Sequence, residues 1–308
     1  MLERKSAHIE CLSESSEAVR RQFAACEQED IDDRRGEADP LLEGRHEAVR
    51  GLVHKYENRV LCMLTAECAA YCRFCTRRRM VSDIERGRMT EEDVDRWREY
   101  LKAHPRVREV IISGGDPLTA PRELFAYALE TLSGLPAIKV VRIGTRVVVS
   151  APEMLTEDRL DAMRRVRQPL YVGINFEHPD ELTKATLEAV GKLRKAGAIL
   201  YSQTVFLKDI NDDYETLYEL FSRLVEIGVR PYYIYRCDPV AGVARFRVEF
   251  DKERAIMTRL RKSLSGLACP TYVIDTPYGS GKVPVPLGFW DFDERRYRDF
   301  DGEEHEVI

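Results

Sequence analysis

Residues 60–75 read Val60-Leu-Cys-Met-Leu-Thr65, then Ala-Glu, then Cys68-Ala-Ala-Tyr-Cys-Arg-Phe-Cys75. The first six residues form a short apolar run that predicts a buried β-strand. The loop after it carries Cys68, Cys72 and Cys75 with the spacing C-x3-C-x2-C. Three thiolates on one loop can bind three irons of a four-iron, four-sulfur (4Fe-4S) cluster and leave the fourth iron open. Since structural zinc sites and electron-transfer clusters use four protein ligands, an incomplete set indicates catalysis.

Downstream of this loop, amphipathic segments alternate with apolar, β-branched ones. Including the run at 60–65, the apolar segments predict strands at residues 60–65, 107–113, 137–144, 170–176, 198–207, 229–235 and 271–274. The amphipathic segments predict helices at residues 90–103, 121–133, 156–167, 180–196, 213–227 and 251–264. Thr90 and Asp93 form a capping-box pattern at one helix start, and Gly197 and Gly228 follow two helix ends. The alternation predicts parallel βαβ units, as an open barrel or a doubly wound sheet. In both folds ligands bind at the carboxyl ends of the strands.

The composition excludes several classes of protein. The chain has 308 residues, 44% hydrophobic and 33% charged, with a net charge of −5. Basic and acidic residues are mixed, so no nucleic-acid surface is expected, and no apolar run is long enough to cross a bilayer. The first residues lack the apolar core of a signal peptide, and eight cysteines, three of them bunched, suit a reducing compartment. We therefore expect a cytoplasmic protein with a helical extension at 1–45, a main βα domain at 46–290 and a tail at 291–308.

Two glycine-containing loops also follow predicted strands. In Ser113-Gly-Gly-Asp-Pro-Leu118 the paired glycines let the backbone approach a ligand closely, although the same residues also suit a tight turn. In Asp275-Thr-Pro-Tyr-Gly-Ser-Gly-Lys282 a lysine on a glycine-rich turn could form a Schiff base with an aldehyde, or could simply face solvent. The alternative for the cysteine loop is a zinc site completed by Cys237 or His178.

Four motifs, in this order, resemble those of the lysine 2,3-aminomutase family. They are the cysteine loop with its trailing Thr-Arg-Arg-Arg, the Ser-Gly-Gly-Asp-Pro-Leu turn, the segment Pro231-Tyr-Tyr-Ile-Tyr-Arg-Cys-Asp238 and the glycine-lysine loop. These enzymes combine radical S-adenosylmethionine (SAM) chemistry with pyridoxal phosphate (PLP). The resemblance runs from about His54 to Pro286. It implies an α/β fold with a partial, open TIM-type βα barrel of about six βα units. It also implies an amino acid substrate and an electron donor such as flavodoxin or ferredoxin.

Carried over position by position, the resemblance implies a set of cofactor ligands. The cluster would be bound by Cys68, Cys72 and Cys75, with SAM closing the open iron. The methionyl part of SAM would be held by Gly114, Gly115 and Asp116. Lys282 would carry PLP. The positions around the phosphate and ring of PLP are matched by Lys55, Tyr56, Arg59, Gln203 and Tyr235.

The resemblance also implies a substrate site. Arg77 matches the arginine that binds the substrate α-carboxylate, for which a planar bidentate donor is suited. Asp238 and Asp275 match the aspartates that hold the ε-ammonium of lysine, although both residues also suit turns. Two aspartates would repel a side-chain carboxylate, so a cationic amino acid, with lysine first, is the expected substrate of a 2,3-aminomutase.

The sequence departs from the family at several positions. Asn175 and Phe74 stand where histidine is common, and Lys55 stands where arginine is expected. The zinc-binding tail of longer relatives is not seen, which leaves the oligomeric state open, with a homodimer as one option. Other outcomes stay open as well: arginine or ornithine as substrate, desaturation or dehydration as the reaction, a mutase acting on a lysine side chain of a protein, or a non-catalytic iron–sulfur or zinc protein.

Overall fold

A ten-stranded sheet forms the centre of the protein in the computed structural model, which describes residues 6–30, 36–81, 83–85, 87–276, 281–291 and 294–306. Its strands are β1 (Glu47–Val49), β2 (Leu52–Tyr56), β3 (Arg59–Thr65), β4 (Glu109–Gly114), β5 (Val140–Thr145), β6 (Leu170–Asn175), β7 (Ile199–Val205), β8 (Arg230–Tyr235), β9 (Thr271–Asp275) and β10 (Lys282–Pro284). They pair in chain order from β1 to β10.

Strands β3 to β9 are parallel, whereas β1, β2 and β10 pair antiparallel at the two edges. Within the described residues β1 does not pair with β10, so the sheet is open. The predicted α/β class and the open TIM-type arrangement of about six βα units are confirmed.

Helices connect the parallel strands and bury their apolar faces against the sheet. The helices are α1 (Ala7–Ser15), α2 (Glu17–Phe23), α3 (Arg78–Val81), α4 (Glu91–Ala103), α5 (Arg122–Ser133), α6 (Val147–Ser150), α7 (Glu157–Arg164), α8 (Lys184–Lys195), α9 (Tyr214–Glu226) and α10 (Phe250–Ser263). The core between helices and sheet includes Trp97, Phe125, Phe176 and Phe221, all of which are fully buried. Burial of such side chains is the main favourable term in folding.

Helix ends follow the local chemistry of the sequence. Thr90 and Asp93 form the predicted capping box of α4. Gly197 and Gly228 have φ values of 84° and 82°, as expected after α8 and α9. The helix predicted from residue 180 begins later, because the side chain of Thr183 caps α8 by accepting a hydrogen bond from the Thr186 N–H.

The N-terminal segment packs beside the cysteine loop. Ile9, Val19 and Phe23 of α1 and α2 form a small apolar cluster with Ala70, and Cys68 and Cys72 pack against it. This cluster shields the loop from solvent on that side.

Near the C-terminus, β11 (Trp290–Asp291), β12 (Arg296–Arg298) and β13 (Glu304–Glu306) form a second, antiparallel sheet. Strand β11 crosses the boundary that the sequence placed between 290 and 291. No helix among the described residues has the length and apolar character needed to span a bilayer.

Candidate active site

One cavity of about 710 Å³ opens at the carboxyl ends of the parallel strands. Every site residue expected from the sequence lines it, namely Lys55, Tyr56, Arg59, Cys68, Cys72, Cys75, Arg77, Gly114, Gly115, Asp116, Gln203, Tyr235, Asp238, Asp275 and Lys282. These residues come from segments far apart in the sequence. Their convergence is what an open βα barrel produces at this face.

The cysteine loop follows β3 and turns through Tyr71, whose φ of 50° lies in the left-handed region. The thiols of Cys68, Cys72 and Cys75 are free. Burial raises the pKa of all three, and that of Cys72 reaches about 11. Iron would supply the positive charge that such buried thiolates need.

Two hydrogen bonds already point at these sulfurs. Arg146 Nη1 lies 2.7 Å from Cys72 Sγ, and the Ala70 N–H lies 3.4 Å from Cys68 Sγ. Donors of this kind support cluster thiolates. Among the described residues no group of three His, Cys, Asp or Glu could hold a single metal ion. A cluster does not require such a group, since each cysteine would bind a different iron. The donor set therefore fits a 4Fe-4S cluster, whereas Cys237 and His178 do not join the cavity lining as a zinc site would require.

The Gly114-Gly115 turn packs directly against the strand that leads to the cysteines. Gly114 has a φ of 132°, and a Cβ there would lie 2.2 Å from the carbonyl oxygen of Thr65. A Cβ on Gly115 would lie 2.1 Å from the carbonyl oxygen of Glu67. The sequence suggested that these glycines let the backbone approach a ligand closely, or that they simply suit a tight turn. The structure shows a further reason for glycine at both positions: a side chain at either one would collide with the neighbouring backbone.

Asp116 is buried, and its carboxylate accepts hydrogen bonds from several internal donors. These are Thr145 Oγ1 at 2.9 Å and the N–H groups of Leu118, Arg146 and Val147 at 3.1, 2.6 and 3.1 Å. Burial raises its pKa to about 6, although these bonds oppose the rise. The carboxylate thus ties the segments that follow β4 and β5 together.

Arg146 is a buried residue that the sequence analysis missed. Its Nη2 donates to Glu181 Oε1 at 3.0 Å and also contacts the side chain of Gln22 in α2. The rule that selected the other loops would have found it, because it follows the carboxyl end of β5. Glu177, two residues past the end of β6, is also buried, and burial raises its pKa to about 8. Its Oε1 has no hydrogen-bond partner among the described residues, so a polar atom is left for a ligand.

Arg77 already has a partner inside the protein. Its Nε lies 2.9 Å from Glu43 Oε2 and its Nη2 lies 2.7 Å from Glu43 Oε1, while Nη1 lies 3.2 Å from Ser113 Oγ. Burial alone would raise the pKa of Glu43, but the charge and the hydrogen bonds of Arg77, with the charge of Arg79, together outweigh burial and hold that pKa below its usual range. Sequence reasoning missed Glu43, because it lies before the barrel and follows no parallel strand.

Lys282 and Asp275 face each other across the last two strands of the large sheet. Lys282 is the first residue of β10 and pairs in register with Asp275, the last residue of β9. Its Nζ contacts the carboxylate of Asp275 and lies 5.3 Å from the ring centroid of Tyr235. The sequence placed Lys282 on a glycine-rich turn. Instead it begins a strand, and residues 277–280 of that turn lie outside the described residues.

A second carboxylate lies near Asp275. Asp238 accepts a hydrogen bond from Thr76 Oγ1 at 3.0 Å. Burial, and then the charge of Asp275, raise the pKa of Asp238 to about 6. Oδ1 of Asp275 is buried and has no hydrogen-bond partner among the described residues. This end of the cavity therefore suits a cation.

Cations and aromatic rings also line the cavity. The Arg59 guanidinium lies 3.9 Å from the ring centroid of Tyr56, and Gln203 Nε2 donates to the Tyr235 hydroxyl at 2.6 Å. Across the described part of the chain, no carboxylate forms an ion pair with Lys55 or Arg59, which leaves both cations for an anion such as a phosphate. Together with the amine of Lys282, these residues fit PLP. Arg142, which donates to the Tyr201 hydroxyl at 2.7 Å, is a further cation in this cavity that the sequence analysis did not select.

Comparisons with known proteins agree with this geometry. Residues 63–221 match the family model described as the Radical SAM superfamily. The fold is similar to the crystal structure of a radical SAM methyltransferase from Sphaerobacter thermophilus. The TM-score is 0.53 and the identity 16%, over 73% of this chain and 68% of that one. An open βα barrel with a three-cysteine loop at a strand end thus places the chain in the Radical SAM superfamily.

The sequence relatives define the family more narrowly. A putative L-lysine 2,3-aminomutase from Aquifex aeolicus is 42% identical over 250 residues, which cover 81% of this chain and 67% of that protein. The L-lysine 2,3-aminomutase of Clostridium subterminale is 39% identical over 247 residues, covering 80% of this chain and 59% of that protein. The chain thus spans about three fifths to two thirds of the length of these relatives. It belongs to the lysine 2,3-aminomutase family. Membership implies a 4Fe-4S cluster, SAM and PLP as cofactors.

Proposed function

We propose that the protein is a radical SAM, PLP-dependent 2,3-aminomutase that moves the α-amino group of a free cationic amino acid, lysine in the first place, to the β-carbon. One observation carries the proposal. The three cysteines, Lys282, Arg77 and the two aspartates all line one cavity. A radical source, an amine for PLP and groups for both ends of an amino acid therefore share one space.

When bound, the cluster with SAM supplies a hydrogen-abstracting radical, and PLP supplies a π system that spreads an unpaired electron while nitrogen migrates. The chain's own residues position and shield this chemistry. Lys282 offers the amine that would hold PLP, and Lys55 and Arg59 offer charge for its phosphate. Ile9, Val19 and Phe23 pack beside the cysteine loop and exclude water from that side.

The substrate would be held at both of its ends. Arg77 provides a guanidinium for the α-carboxylate, since planar bidentate donors suit that group. Asp238 and Asp275 provide negative charge for the distal ammonium. Because the charge of Asp275 already raises the pKa of Asp238, a cation placed between them would relieve their repulsion. A side-chain carboxylate in the same place would increase it, which disfavours glutamate.

The test is an anaerobic incubation of the reconstituted protein with SAM, a reductant and lysine, ornithine, arginine or glutamate. Products are separated by chromatography and identified by mass spectrometry. The proposal predicts a β-amino isomer of lysine. A product two hydrogens lighter would indicate desaturation instead, and no conversion of any cationic amino acid would refute the proposal.

The variant Asp275→Asn tests the substrate assignment. A hydrogen bond to a charged group contributes about 1.5–3 kcal/mol, so the KM for lysine should rise about 10- to 100-fold. PLP loading on Lys282, measured by borohydride reduction and peptide mass spectrometry, should fall much less. The control is Asp158→Asn, which removes an exposed partner of Arg122 and should change neither quantity. Equal losses of lysine affinity and PLP loading would show that Asp275 serves the cofactor.

We also propose that a small reductase partner such as flavodoxin or ferredoxin supplies the electron, and that the protein works in the reducing cytoplasm. The eight cysteines all lie within the described residues and none of them forms a disulfide bond, which supports the second point.

A further inference from the structure

The guanidinium of Arg77 has two edges that can each bind a carboxylate. Glu43 occupies the side edge, with Oε2 on Nε and Oε1 on Nη2. A guanidinium has five N–H groups in a fixed plane, so a bidentate partner on this edge leaves the N–H groups of the Nη1–Nη2 edge. That remaining edge lies beside Ser113, whose hydroxyl is 3.2 Å from Nη1. Ser113 lines the cavity at the end of β4, so the remaining edge lies on the cavity side.

Glu43 is built into a turn that holds it in place. The carboxylate of Asp39 accepts the N–H groups of Glu43 and Gly44, each at 3.0 Å. The same carboxylate pairs with Arg79 at 2.7 Å, two residues beyond Arg77. Two ion pairs therefore join the turn to the segment that follows the cluster cysteines.

This anchoring argues that Glu43 is not displaced from Arg77 when a substrate carboxylate binds. The Glu43 side chain is 12% exposed and that of Arg77 24%. Displacing Glu43 would break a bidentate, mostly buried pair and leave a carboxylate without its counter-charge, which is costly in such surroundings. A carboxylate that stays in place instead fixes the rotamer of Arg77. Fixing that rotamer before binding reduces the entropy that substrate binding must lose.

We propose that Glu43 is a positioning residue for substrate recognition: it holds the side edge of Arg77 so that the other edge, beside Ser113, meets the α-carboxylate of the amino acid. The inference rests on the proposed function, because it takes Arg77 as the carboxylate ligand. Through Glu43, the segment before the barrel would contribute to the preference for α-amino acids over amines that lack a carboxylate.

The experiment compares two ligands that differ only in the carboxylate, lysine and 1,5-diaminopentane. Each is titrated into PLP-loaded protein without SAM, and the change in pyridoxal absorbance gives the Kd, so no turnover is needed. In Glu43→Gln the Kd for lysine should rise about 10-fold, the scale of one weakened charge-assisted hydrogen bond. The Kd for 1,5-diaminopentane should change less than twofold. The control Glu57→Gln removes an exposed partner of Arg106 and should change neither Kd.

A double-mutant cycle keeps the test informative if Glu43→Gln folds poorly. The variant that carries both Arg77→Gln and Glu43→Gln has no unpaired charge at this position. If Glu43 acts through Arg77, this double variant should show the same ratio of lysine Kd to diaminopentane Kd as Arg77→Gln alone.

Three results would overturn the inference. Equal weakening of both ligands would show that Glu43 has a structural role only. Tighter lysine binding would show that it competes with the substrate carboxylate. An unchanged lysine Kd would show that Arg77 needs no support. If the wild-type absorbance responds to neither ligand, the proposed function fails, and the inference fails with it. A normal wild-type response with no selective effect in Glu43→Gln refutes the inference alone.

Discussion

Replacing Asp238 by asparagine should stabilise the ligand-free protein at neutral pH, even though the same change removes a group assigned to substrate binding. Asp238 lies in the cavity and faces the carboxylates of Asp275 and Glu43 and the amine of Lys282, while Thr76 Oγ1 donates to it at 3.0 Å. Burial, and then the Asp275 charge, raise its pKa from 3.8 to about 6. An asparagine amide can still accept the hydrogen bond from Thr76, but it carries no charge to bury.

The magnitude follows from the two pKa values. Because the pKa is raised on folding, the contribution of Asp238 to stability is fully present below its unfolded pKa of 3.8 and is lost as the pH rises through about 6. Each pKa unit corresponds to about 1.36 kcal/mol, so the loss is at most ~3 kcal/mol. With partial relaxation of the site we expect about 1–2 kcal/mol, or roughly 1.5–3 °C in Tm for a chain of this size.

The assay is thermal unfolding of cofactor-free wild type and Asp238→Asn between pH 4 and pH 8, under anaerobic conditions. The two Tm values should converge near pH 4, and the variant should exceed wild type increasingly up to about pH 7. Asp158→Asn, an exposed change of the same type, should give a small difference that does not vary with pH. A variant that is less stable than wild type at pH 8 would refute the reasoning, because Asp238 would then be stabilising as an anion.

Further predictions concern packing and local structure. Gly115→Ala places a Cβ 2.1 Å from the carbonyl oxygen of Glu67, so it should destabilise the protein by about 1–3 kcal/mol and lower the iron bound per chain after reconstitution. Gly191 lies inside α8, and a Cβ there would meet no atom within 4 Å, so Gly191→Ala should instead raise the free energy of unfolding by about 0.5–1 kcal/mol. Equal effects of the two changes would contradict the close contact between residue 115 and Glu67. Trp97→Ala should lower the free energy of unfolding in urea by about 3–5 kcal/mol, since the ring is fully buried. A loss below about 1 kcal/mol would mean that this ring is not packed in the core. Thr183→Ala should remove the cap of α8 and lower the same free energy by about 1 kcal/mol, whereas an unchanged value would show that the cap has no effect.

The sequence predicted the barrel well because its signals are local. The apolar runs give the parallel strands, Thr90 and Asp93 give a helix start, and Gly197 and Gly228 give helix ends. The edge strands were missed, because β1 and β2 are short and depend on pairing with a neighbour. A turn at Arg50 and Gly51 joins β1 to β2, and Gly51 has a φ of 75° there.

The site residues likewise divide into those that local sequence signals predict and those that depend on packing or register. Residues at strand ends, such as Cys68, Asp116 and Asp238, could be expected in one place because parallel strands end at one face. Glu43 could not be found by that rule, because its position depends on how the N-terminal segment packs on Arg77 and Arg79. The pairing of Lys282 with Asp275 also depends on the register between β9 and β10, which the sequence does not encode in any local pattern.

Lysine deuterated at the β-carbon gives the most direct test of the claim that the cluster and Lys282 serve one substrate in one cavity. The reconstituted protein is incubated anaerobically with this substrate, SAM and a reductant, and 5′-deoxyadenosine and the amino acid products are analysed by mass spectrometry. Deuterium should appear in 5′-deoxyadenosine, together with a β-amino isomer of lysine. Formation of 5′-deoxyadenosine without deuterium, and recovery of lysine with its label and structure intact, would contradict the claim.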